Sequence, residues 1–76
     1  MIKAYVLINS ETAYTNQVVE KIRGISGVVE IHEVLGPYDI VAEVEAADID
    51  SILHILRQEI RDILGVRNTV TCITTD

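Results

Sequence analysis

The chain writes the same joint twice. Ile25-Ser26-Gly27-Val28 is answered by Ile63-Leu64-Gly65-Val66, with Gly65 falling 38 positions after Gly27 (65 minus 27). Each copy closes an amphipathic stretch and opens a β-favouring one. In the first, Tyr14, Val18 and Ile22 recur at helical spacing, with Val19 widening the stripe, so a helix is expected over 13–23. Gly24 and Gly27 end it. In the second, Asp48 is a credible N-cap, and Ile49, Leu53, Leu56, Ile60 and Ile63 form a stripe running to Leu64, with Gly65 as the C′ residue. Strands are expected over 2–9, 28–35, 39–45 and 66–75. The order strand, helix, strand, strand, helix, strand is the split βαβ pattern. The expected fold is therefore α+β and ferredoxin-like: a four-stranded antiparallel sheet with two helices on one face.

The strands ask for more than that. Both alternating sets of the first are apolar: Ala4, Val6 and Ile8 against Tyr5 and Leu7. Two helices cover only one face, so something must cover the other. A second copy about a twofold axis is the simplest cover. Composition agrees, since 49% of the 76 residues are hydrophobic and mean hydropathy is +0.30, much apolar surface for so small a domain to hide. In the third strand, Ile40, Ala42 and Val44 oppose Val41, Glu43 and Glu45, which leaves its far end open to solvent. Ile52 and Ile55 lie off the second helix's stripe. They mark either a further contact, within or between dimers, or a wider core face.

Charge excludes several classes. The net charge is −6, and Lys3, Lys21, Arg23, Arg57, Arg61 and Arg67 are scattered along the chain. A phosphate backbone rewards a clustered positive surface, so direct nucleic-acid binding is not expected, nor is a basic membrane-surface helix. The opening apolar run is too short to span a bilayer and no cleavage site follows it. A cytoplasmic protein is expected. Cys72, the one cysteine, excludes an internal disulfide or a multi-cysteine metal site and reads as a small buried hydrophobe in a strand.

Enzymatic chemistry is thin. His32 and Glu30 share a strand face, with Glu33 pointing the other way. The pair has metal-binding or proton-moving chemistry, but a solvated polar pair on a strand is the plainer reading. His54 reads as a partly exposed helix residue. No nucleophile stands at recognisable spacing from a base, the glycines are isolated rather than phosphate-binding, and Asp48, Asp50, Glu43 and Glu45 lack calcium-loop spacing. No metal and no cofactor is expected.

One turn is overequipped. Gly36-Pro37-Tyr38-Asp39 joins the second and third strands. Glycine or proline alone makes a turn; the added phenol and carboxylate supply a hydrogen-bonding pair. Across the sheet, Arg67-Asn68-Thr69-Val70-Thr71 supplies hydroxyls and an amide. An acid suits a ligand ammonium, and hydroxyls and N–H groups suit a carboxylate. Alternatively Asp39 caps its own turn and Tyr38 packs at a subunit contact.

These residues together resemble the effector-binding (RAM) domain of the Lrp/AsnC regulators of amino-acid metabolism. The resemblance rests on Gly27-Val28, on Val34-x-Gly36-x-Tyr38-Asp39, on the helix closing at Leu64-Gly65-Val66, and on Thr69. It covers essentially the whole chain. It implies a domain dimerising through its sheet into a dimeric α/β barrel, with dimers joining into an octamer or similar ring. It further implies an amino acid bound between dimers by Gly36, Tyr38, Asp39, Thr69 and Thr71. Family regulators place a helix-turn-helix before this domain, whereas the first strand here begins at Ile2. The chain thus resembles the stand-alone form, a single domain over 1–76 with no DNA-binding domain, expected to sense or buffer an amino acid, with co-assembly with full-length regulators as a further route to regulation. Pro37 departs from the pattern by removing a backbone N–H. Two other readings keep the same fold: a small cofactor-free enzyme of the dimeric α/β-barrel type, with His32 as its candidate, and a purely structural assembly module.

Overall fold

The computed structural model describes residues 1–75. Strand β1 (Ile2–Ser10) leads through a short 3-10 turn (Thr12–Tyr14) into helix α1 (Thr15–Arg23). Strands β2 (Val28–Glu33) and β3 (Ile40–Ala46) follow, then helix α2, α-helical over Ile49–His54 and wound more widely over Ile55–Ile60, then β4 (Val66–Ile73). The sheet order is β2-β3-β1-β4, every neighbour antiparallel. This is the expected ferredoxin-like sheet, with β2 and β4 at its edges.

Register divides the sheet into rows. Val6 faces Ala42 on one side and Thr71 on the other; Ile8 faces Ile40 and Thr69. Partners directly opposite in an antiparallel ladder share a face. On the helix-covered face Ala4, Val6, Ile8, Ile40, Ala42 and Val44 are buried against Val18, Val19 and Ile22 of α1 and Ile52, Ile55, Leu56 and Ile60 of α2. Fully burying each of the larger aliphatic chains contributes roughly 1.5–3 kcal/mol. Two of these apolar rows end in a hydroxyl, Thr71 and Thr69, at the β4 edge.

The repeated joints are built alike. Gly27 and Gly65 have φ of 101° and 102°, which side chains avoid. Each is crowded by the other half's helix. A Cβ on Gly27 would lie 2.8 Å from Ile55 Cδ1, and one on Gly65 would lie 2.5 Å from Tyr14 Cβ. Each glycine carbonyl accepts a backbone hydrogen bond, from Glu45 N and Glu11 N respectively, both at 2.8 Å. The ladder then slips by one residue after each joint, at Val29 in β2 and at Arg67 in β4, again 38 positions apart (67 minus 29).

One open alternative is decided and one expectation is corrected. Ile52 and Ile55 are core residues, whereas Ile49 is about half exposed. The helix turns the 52, 55, 56 and 60 face to the sheet, so the wider core face accounts for that second stripe. Cys72 is exposed, because its partner across the ladder is Tyr5, on the face that neither helix covers. Asp48 does cap α2: its Oδ1 accepts from Ser51 N at 2.8 Å. That bond, helped by the Ser51 side chain, holds its carboxyl below the ordinary 3.8 against a small opposing effect of burial.

Candidate functional site

The Gly36-Pro37-Tyr38-Asp39 turn is tied down at its acid. Asp39 N donates to Ile8 O at 3.0 Å, Asp39 O accepts from Val34 N at 2.9 Å, and Asp39 Oδ2 accepts from Ser10 N at 2.9 Å. Asp39 therefore clasps the end of β1 rather than capping its own turn. It lines a depression of about 280 Å³ with Thr12, Thr15, Asn16 and Leu35. The loop ahead of it is presented to solvent: Leu35 is fully exposed and a Cβ on Gly36 would meet nothing.

Thr69 and Thr71 lie in a second depression, of about 440 Å³, with Leu56, Arg61, Val66, Arg67 and Asn68. Their place follows from register. They continue rows that are otherwise aliphatic, and β4 extends the sheet past β1 toward the end of α2. Leu56 and Arg61 reach the same hollow through the wide turn. Arg61 N donates to Leu56 O at 2.9 Å, an i→i+5 bond that brings a pair of residues five apart to one rim. Thr71 Oγ1 is buried, and it is the one such side-chain oxygen or nitrogen among the described residues with no hydrogen-bond partner. An orphaned buried hydroxyl costs about 1–3 kcal/mol.

The five expected site residues thus fall into three sets. Asp39 lines one hollow and Thr69 and Thr71 the other, while Gly36 and Tyr38 stand on the loop outside both linings. Ile8 separates the first two, pairing with Ile40 on one side and Thr69 on the other, two strand spacings or about 10 Å. Sequence reasoning missed Leu56 and Arg61. A spacing of five is not a same-face signal on an ordinary helix, so nothing in the periodicity points to them.

The remaining chemistry-bearing residues sit elsewhere. His32 Nε2 and Glu30 Oε1 are 3.2 Å apart and well exposed. They share the uncovered sheet face with the row Val41, Leu7 and Val70 and with Tyr5, opposite Cys72. The Lys3–Glu43 ion pair at 3.7 Å and the Asn9–Asn68 hydrogen bond at 3.0 Å complete that face. Among the described residues no group of three or more metal-ligating side chains is found, and no helix is long and apolar enough to cross a membrane.

Two open hollows, of about 280 and 440 Å³, thus flank the Ile8 row of this ferredoxin-like sheet. The family model of the Lrp/AsnC ligand binding domain matches residues 3–76, and the chain belongs to that family. An HTH-type transcriptional regulator of Pyrococcus furiosus is 40% identical over 58 residues, 76% of this chain and 39% of the regulator. The chain thus spans about two fifths of the length of such relatives. A crystal structure from Thermus thermophilus superposes with a TM-score of 0.97 at 33% identity, covering 100% of this chain and 95% of that one. A Neisseria meningitidis transcriptional regulator solved as an L-Met complex shares the fold alone, with a TM-score of 0.90 at 12% identity over 99% of this chain and 50% of that one.

Proposed function

We propose that this domain is an effector module that binds a free α-amino acid at a site shared by two copies. The observation that carries the reading is Thr71 Oγ1, a buried hydroxyl held without a partner where two core rows end. Keeping such a group is costly unless something outside the chain satisfies it. With Thr69 it offers a carboxylate two hydroxyl donors. Asp39 supplies the matching charge for an ammonium through Oδ1, since Oδ2 is committed to Ser10 N. One chain puts these groups in different hollows, so a second copy must bring its own turn, with Gly36 and Tyr38, to the β4 hollow. The uncovered sheet face, with Tyr5, Leu7, Val41 and Val70, is the surface through which copies first dimerise; the exposed turn then joins dimers into a ring. Binding between dimers would bias that assembly, and assembly would bias binding equally. A protein of this kind senses an amino acid and co-assembles with DNA-reading regulators of its family rather than catalysing a reaction. The amino acid in the Neisseria regulator's L-Met complex supports the ligand class.

The test is calorimetric titration of the twenty amino acids into the wild type, Asp39→Ala and Thr71→Val. At least one amino acid should bind the wild type, and both variants should lose it while keeping the wild-type sedimentation profile. Binding by none of the twenty overturns the reading; equal binding by wild type and both variants overturns the site.

A further inference from the structure

Two arginines, Arg61 and Arg67, and no acidic residue line the β4 hollow, together with Leu56, Val66, Asn68, Thr69 and Thr71. In a chain of net charge −6 with six bases, two on one rim make a local positive field that the rest of the molecule does not predict.

The internal repeat shows what these arginines would be doing if they were structural. Arg61 stands 38 positions after Arg23, as Leu56 does after Val18 and Ile60 after Ile22. Arg23 is occupied: its Nε lies 3.4 Å from Glu20 Oε2, one turn back on the same helix. The position matching Glu20 is Gln58. It brings no charge, and Arg61 has no ion pair among the described residues. At the slipped residue after each joint, the first half carries the exposed Val29 and the second carries Arg67. Arg67 is paired with Glu11, Nε to Oε1 at 3.8 Å, between side chains about as exposed as those of the Arg23–Glu20 pair. The same frame therefore pairs its helix-end arginine in one half and leaves the matching Arg61 without an ion pair, among the described residues, beside a hollow in the other.

We infer that Arg61 and Arg67 make the β4 hollow select a ligand with two carboxylates. Resting on the amino-acid reading above, this names the ligand class as an acidic amino acid. One carboxylate meets the Thr69 and Thr71 hydroxyls; the other meets the guanidinium rim, where planar donors suit it. A basic side chain would be repelled from the same rim.

The experiment titrates L-glutamate, L-aspartate, their amides, L-lysine and glutarate into the wild type, Arg61→Gln, Arg67→Gln and Gln58→Glu. Both arginines are exposed, so their variants should fold. Glutamate or aspartate should bind at least about tenfold tighter than its amide, with the preference falling as salt rises. Either Arg→Gln variant should shrink that acid-over-amide preference at least about threefold. Gln58→Glu should weaken acidic-ligand binding about threefold, by giving Arg61 the partner that Arg23 has. Amide binding equal to or tighter than the acid overturns this inference and leaves the amino-acid reading standing, as does a preference that survives both Arg→Gln changes. Glutarate binding as tightly as glutamate supports the two-carboxylate rim but overturns the amino-acid reading. Binding of none of these ligands overturns the inference, and binding of a neutral amino acid in the twenty-member panel would then spare the reading.

Discussion

Gly27 and Gly65 stand at matching joints, yet only the second joint borders the larger hollow. Both have a positive φ, both carry a carbonyl that accepts a backbone N–H from the other half, and both are followed by a one-residue slip of the ladder. What differs is the filling. After Gly27 the core row continues with Ile31, packed on the core, and the outgoing helix ends with Arg23 paired to Glu20. After Gly65 the row continues with Thr69 and Thr71, and α2 widens so that Leu56 and Arg61 share a rim. One half of the pseudo-twofold is closed as structure and the other is left open.

The largest break in this comparison comes at the joints themselves. Gly65→Ala should lower stability by about 3 kcal/mol or more, because a strained φ is combined with a clash on the Cβ of Tyr14. Gly27→Ala should cost less, about 1–2 kcal/mol, since its nearest neighbour is the free end of Ile55, although Glu45 O at 3.2 Å limits relief. Urea midpoints at constant m-value measure both. Equal losses would mean that the two joints are not packed as described. A subtler comparison sets the filled row against the open one. Ile31→Thr, at the position matching Thr69, should lower stability by about 1–2 kcal/mol. Thr71→Val removes an unsatisfied hydroxyl without changing shape, so stability should be unchanged or rise by up to about 1 kcal/mol. A clear loss of stability in Thr71→Val would show that its hydroxyl has a partner within the chain.

Much of this was legible in the residues. The duplicated Gly-Val joint carries the fold, because a glycine forced to positive φ between a helix and a strand leaves few alternatives. The overequipped turn and the hydroxyls of Thr69 and Thr71 were visible as chemistry. Their separation was not, since the pairing of Ile8 with both Ile40 and Thr69 belongs to register. Nor was the Asp39 clasp on Ser10, a bond between residues 29 positions apart. The second helix misleads for a physical reason. Two sets of apolar residues both have helical spacing, and only packing on the sheet selects Ile52 and Ile55 over Ile49. Cys72 misleads in the same way, because β4 carries Thr69, Thr71 and Ile73 on one face and Asn68, Val70 and Cys72 on the other, which does not say which face the helices cover.

The central claim is that Asp39 and Thr71 of different copies meet at one amino acid. Its most direct measurement is complementation between two inactive variants. Asp39→Ala and Thr71→Val, each unable to bind, are unfolded together, refolded as mixed oligomers and titrated with the wild-type ligand. If each site takes its acid from one copy and its hydroxyl from another, random mixing restores about a quarter of the sites at wild-type affinity. A mixture that binds no more than either variant alone would place both groups in one chain's site and contradict the account.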